Sequence, residues 1–136
     1  MKALRLATRC RHRTAQALAL ALALAALTVN AIADIVDIAW DTSGRFERTL
    51  NVAPGKFAEL CGKLPAGLKV RWDFEASAPL DFNVHYHVGK EVVFPTKFAA
   101  VATAKDTLDT RIEQDYCWTW SNKSAAPAKF TVVLQR

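Results

Sequence analysis

Leu80 to Gly89 reads Leu-Asp-Phe-Asn-Val-His-Tyr-His-Val-Gly. Leu80, Phe82, Val84, Tyr86 and Val88 alternate with Asp81, Asn83, His85 and His87, the period-two pattern of a strand with one buried face. Side chains two apart on a strand point the same way, so the polar face carries His85 and His87 together. They are the only histidines after residue 33. Leu68 to Glu75 repeats the pattern, with Leu68, Val70, Trp72 and Phe74 set against Lys69, Arg71, Asp73 and Glu75. A sheet apolar on one face and charged on the other is covered on one side only, as in antiparallel sheets and sandwiches.

The neighbouring segments extend this reading in both directions. Asp34 to Trp40 and Phe46 to Val52 alternate as strands around a turn at Asp41-Thr42-Ser43-Gly44. Pro54-Gly55 precedes Lys56 to Leu64, a short apolar segment holding Cys61, and Pro65-Ala66-Gly67 is the next turn. Ala76 to Pro79 is read as a turn between the two clearest strands. Glu91 to Phe94 and Phe98 to Ala102 are short strands separated by Pro95, which suits an edge or a corner. In Thr103 to Glu113 the Leu108/Ile112 spacing allows a helical turn, while Thr107 and Thr110 favour extended chain. Asp115 to Asn122 turns Tyr116, Trp118 and Trp120 to one face, and Phe130 to Leu134 forms the last strand. Eight or nine short strands without a convincing helix predict an all-β fold, a small antiparallel β-sandwich over residues 34–136.

Residues 1–33 read differently. Lys2, Arg5, Arg9, Arg11 and Arg13 precede an unbroken apolar run from Ala17 to Val29, and Ala31-Ile32-Ala33 follows. This is the pattern of a secretory signal peptide cleaved after Ala33. The run is shorter than the roughly 20 residues that span a bilayer, so no stable membrane anchor is expected after cleavage. The chain carries 18 Lys and Arg against 13 Asp and Glu. The five basic residues of the leader account for that excess, and the balanced remainder removes the case for a nucleic-acid partner. Export to the periplasm or the medium follows. Cys10 leaves with the leader, so Cys61 and Cys117 form an even pair in an exported domain, most simply a disulfide. Such a bridge contributes about 4 kcal/mol in the chain-entropy model. The competing reading is two free thiols in redox or metal chemistry, without a Cys-x-x-Cys motif to support it.

The order of these features resembles a GOLD (Golgi dynamics) domain. The resemblance rests on Cys61 in its short segment, the Leu64 to Leu68 turn, the charged-alternating strand, Asp81 to Val92, and the Asp115 to Ser124 ending DYCWTWSNKS. It covers most of residues 57–136. It implies a jelly-roll-like β-sandwich and an inclination to bind proteins or lipids. In the cargo receptors of that family two cysteines pair between strands. Here Cys117 lies four residues before Ser121, farther than in those receptors, and no coiled coil, membrane helix or sorting tail like theirs is expected. Membrane-anchored cargo sorting is therefore not implied.

The best candidate for chemistry is the His85/His87 pair. Two imidazoles on one strand face can converge on a metal ion, and Zn²⁺ or Cu²⁺ suits mixed nitrogen and oxygen ligands. A third ligand would come from Asp81 or Asn83 on the same face, or from Glu91, Glu113 or Asp115 on a neighbouring strand. The plain alternative is a solvated polar face whose histidines hydrogen-bond across strands. Trp72, Trp118 and Trp120 lie on the apolar faces of their strands and are read as core rather than as a ligand platform. Asp73 and Glu75 share their face with Lys69 and Arg71, which favours cross-strand ion pairing over a carboxylate pair for catalysis. There is no Gly-x-Ser-x-Gly, no glycine-rich phosphate loop and no His-Glu-x-x-His, so catalysis is not expected. The expected function is a noncatalytic exported binding module that docks an envelope protein or small ligand through the polar face around His85 and His87. A periplasmic Zn²⁺ or Cu²⁺ binder using that pair is the second reading.

Overall fold

A computed structural model of the chain describes residues 34–136. The expected signal peptide lies outside the described residues. Seven strands follow in order: β1 (Asp34–Asp37), β2 (Arg45–Val52), β3 (Phe57–Leu64), β4 (Lys69–Val88), β5 (Glu91–Asp109), β6 (Gln114–Ser121) and β7 (Ala128–Gln135). No helix among the described residues is long and apolar enough to cross a membrane.

The architecture hangs on β4, which runs unbroken for 20 residues. Its first half, Arg71 to Ala76, pairs with β7, and its second half, Asp81 to Tyr86, pairs with β6. β5 runs antiparallel along the other edge of both halves. The hydrogen-bonded order is β1-β3-β6-β4-β7-β2, with β5 added on β4. One bent hairpin thus carries two half-sheets, and their apolar faces meet in a single core. Trp120 of β6 stacks on Phe130 of β7 with ring centroids 4.4 Å apart, and meets Phe74 of β4 edge-on at 5.5 Å. Trp72, Trp118, Trp120, Tyr116 and Phe82 are nearly or fully buried, as their alternation requires. The indole N–H groups of these three tryptophans find no hydrogen-bond partner among the described residues.

Four expectations are corrected. Ala76 to Pro79 is not a turn: it is the stretch where β4 changes partner from β7 to β6, and no residue from Ser77 to Pro79 takes part in a ladder. Proline is tolerated there because no ladder needs its missing N–H. The three segments from Glu91 to Asp109 are one strand, so the count is seven rather than eight or nine. The sheet is antiparallel except for β1, which pairs parallel with β3. β1 also ends at Asp37, short of the expected Trp40, whose ring lies under the Arg136 guanidinium at 5.0 Å. Pro95 does fall on an edge, since β5 pairs only with β4.

Local chemistry fixes the connections. Gly89, with φ 61°, is the first central residue of the two-residue loop between Val88 and Glu91, the position where a type II′ hairpin turn needs glycine. Thr110 caps the turn before β4, donating its hydroxyl to the Pro65 carbonyl at 2.6 Å and accepting the Leu68 N–H at 2.9 Å. Asn122, 1% exposed, donates to the carbonyls of Val52 and Ala126 and accepts from the Ser124 N–H and hydroxyl. The Ser-Asn-Lys-Ser stretch is therefore architectural: it pins the end of β6 to the end of β2. Cys61 and Cys117 form the expected disulfide across β3 and β6, with a sequence separation of 56.

Candidate functional site

The site is the outer face of the half-sheet β3-β6-β4-β5. Register lays its side chains out in rows. Cys117 of β6 lies between Cys61 of β3 and His85 of β4 in one row, and the adjacent row is Glu59, Thr119 and Asn83. Phe57, Ser121 and Asp81 form the third row. β5 brings Lys97 opposite Asn83 and Val92 opposite His87. Together Phe57, Glu59, Asn83, His85, His87 and Phe94 border a shallow depression of about 320 Å³.

The expected histidine pair is in place. The two rings approach edge to face with centroids 5.4 Å apart, and Phe94 lies 5.9 Å from His85. His87 is exposed and His85 half-buried. His85 Nδ1 is 2.9 Å from Asn83 Oδ1. An amide oxygen only accepts, so the neutral ring carries its proton on Nδ1 and leaves the Nε2 lone pair free. Burial holds the His85 pKa below the ordinary value; His87 adds to that shift and Glu59 opposes it.

Three of the other expected ligands already have partners. Asp81 pairs with Lys123 and accepts the Ala100 N–H at 3.0 Å, and these two interactions hold its carboxyl below the ordinary aspartate range. Asn83 orients His85. Glu113 pairs with Lys63 at 3.0 Å. The carboxylate that does reach the site is Glu59, whose Oε2 accepts the Thr119 hydroxyl at 2.8 Å. Its Oε1 lies 3.2 Å from Cys61 Sγ, a contact rather than a hydrogen bond because a bridged sulfur carries no proton. Donor atoms of Glu59, His85 and Cys117 all lie within 4.8 Å of one another. Sequence reasoning missed Glu59, although Cys61 marks it: pairing Cys61 with Cys117 sets the β3/β6 register, and residue 59 shares the cysteine's face. It also missed the apolar rim. Phe57, Val92 and Phe94 are 38%, 40% and 47% exposed.

A larger depression, of about 630 Å³, lies on the other half-sheet, bordered by Arg45, Arg71, Asp73, Lys105 and Asp106. Its charges are of both signs, and register sets Asp73 of β4 opposite Lys105 of β5.

No protein-family model matches the chain, and no curated protein matches its sequence. The GOLD family is therefore not shown, although the β-sandwich that the resemblance implied is present. Solved structures do share the fold. PliG of Aeromonas hydrophila, a periplasmic lysozyme inhibitor of g-type lysozyme, is 10% identical with a TM-score of 0.53, over 75% of this chain and 95% of that one. Its Salmonella Typhimurium counterpart is 9% identical with a TM-score of 0.52, over 76% and 98%. The pre-peptidase C-terminal domain of a Bacillus anthracis collagenase is 6% identical with a TM-score of 0.58, over 78% and 99%. At these identities the likeness is one of fold.

Proposed function

We propose that the chain is an exported, noncatalytic binding module that docks a protein through the outer face of β3-β6-β4-β5. The observation that carries this reading is the composition of that face. Three exposed apolar side chains, Phe57, Val92 and Phe94, surround the polar groups of Glu59, His85 and His87. Exposed aromatics beside directional polar groups are the anatomy of an interface anchor. The disulfide suits an oxidising compartment. The PliG structures offer a precedent on the same fold, since they are periplasmic inhibitors of g-type lysozyme. An envelope protein, with a g-type lysozyme as the first to try, is the partner this supports.

Site-directed photo-crosslinking tests the reading. A photoreactive residue at position 94 should give one defined adduct in the native envelope, absent when the probe is moved to Asp73 on the opposite half-sheet and lost on Phe57→Ser. Equal labelling at the two positions, or none at position 94, would show that this face does not dock.

A further inference from the structure

We propose that reduction of the Cys61–Cys117 bridge converts this face into a zinc site, with Cys61, Cys117, His85 and Glu59 as its four ligands. The inference does not depend on the docking reading. It differs from a site built on His85 and His87, because His87 lies outside the cluster of converging donors.

The geometry is set by three paired strands. Cys61, Cys117 and His85 occupy one row, and Glu59 lies two residues before Cys61 on the same face. Donor atoms of Glu59, His85 and Cys117 already lie within 4.8 Å of one another, and Cys61 Sγ is 3.2 Å from Glu59 Oε1. A tetrahedral zinc ion with bonds of about 2.3 Å to sulfur and about 2.0 Å to nitrogen or oxygen needs donors about 3.3–3.8 Å apart. Reaching that spacing draws the Glu59, His85 and Cys117 donors together by roughly 1 Å, while the two sulfurs, once the bridge is broken, rotate apart to about 3.8 Å. Two ligands also have the outer partners typical of metal sites. Asn83 Oδ1 orients the His85 ring through Nδ1, which leaves the Nε2 lone pair available, and the Thr119 hydroxyl holds Glu59 through Oε2, leaving Oε1 free. Cys61 is half-buried at the surface of the face, where a reductant can reach the bridge.

The bridge is what withholds the site. Disulfide sulfurs are poor ligands, so the oxidised face offers one imidazole and one carboxylate, whereas thiolates bind zinc strongly. A dithiol reductant supplies two electrons and two protons, breaks the S–S bond and itself becomes a disulfide. Zinc then displaces the two thiol protons and forms two Zn–S bonds, joined by His85 Nε2 and a Glu59 oxygen. Metal and disulfide use the same sulfurs and exclude each other, so bound zinc also blocks reoxidation.

The test is a zinc titration against a chromophoric chelator, using full-length exported protein either oxidised or reduced with dithiothreitol and desalted without oxygen. The reduced protein should bind one Zn²⁺ at least about 100-fold more tightly than the oxidised protein. Co²⁺ in place of zinc should give a thiolate-to-cobalt charge-transfer band. Glu59→Gln and His85→Ala should each weaken binding to the reduced form by more than about tenfold. Equal affinity in both redox states, or a site lost on His87→Ala but kept on Glu59→Gln, overturns the assignment. Should reduction unfold the chain, zinc must restore the near-ultraviolet circular dichroism of the buried tryptophans. Zinc that binds without restoring it overturns the proposal equally.

Discussion

His85 is half-buried beside Glu59, His87 and Phe94, and burial disfavours its imidazolium. The folded chain therefore takes up that proton at lower pH than the unfolded chain does. Stability from this site is complete above the ordinary histidine pKa of about 6.5 and drains away as the pH falls towards the depressed folded value. Urea midpoints of the wild type should fall relative to those of His85→Gln as the pH is lowered from about 6.5, and a constant difference would contradict it. Backbone strain gives a second prediction at this scale. Ala100 has φ 52°, a left-handed conformation that costs an L-residue roughly 1–2 kcal/mol. The Asp81 carboxylate holds it by accepting its N–H. Ala100→Gly should raise stability by about 0.5–1 kcal/mol, the relief being partly offset by glycine's entropy, as read by chemical denaturation. Alternation alone reveals that His85 and His87 share a face. It does not reveal that Asp81 is a backbone clamp or that Glu59 is the nearby carboxylate, because both facts depend on which strands pair and in what register.

At the scale of elements, β4 carries the largest difference between pattern and structure. Pro79 has the look of a turn, yet even-numbered side chains face inward on both sides of it: Val70, Trp72 and Phe74 before, Leu80, Phe82 and Val84 after. Unbroken parity is the signal of a continuous strand, since a turn would have no reason to conserve it. The proline hides that signal because its effect depends on whether a ladder needs its N–H, and the sequence does not show the partner switch. Pro79 should therefore be nearly dispensable. Pro79→Val is expected to change stability by less than about 0.5 kcal/mol, whereas Val84→Pro, placed between β5 and β6, should cost about 3 kcal/mol or more. Thermal unfolding of the two variants checks the contrast, and comparable losses would mean that the middle of β4 is not the junction described.

Residues 34–136 form a small sandwich whose two half-sheets share one core and one long hairpin. Domains of this size bury only somewhat over 60% of their unfolded surface, and their net stability is about 5–15 kcal/mol. The sandwich and its staple were both readable from the sequence, the first from alternation and the second from the even cysteine pair that remains after the expected leader. The way the halves close was not, because it depends on β4 exchanging one neighbour for another part-way along. The bridge joins β3 to β6, and β6 is the strand that the second half of β4 pairs with. It therefore restricts the unfolded chain across the segment that contains β4 and β5. For a separation of 56 residues, the chain-entropy model assigns about 4 kcal/mol, a large share of the total. Cys61→Ser/Cys117→Ser should lower the unfolding free energy by about that amount, with a larger denaturant slope because the unfolded chain is less compact. A double variant as stable as the oxidised wild type would show that the core alone holds the halves together.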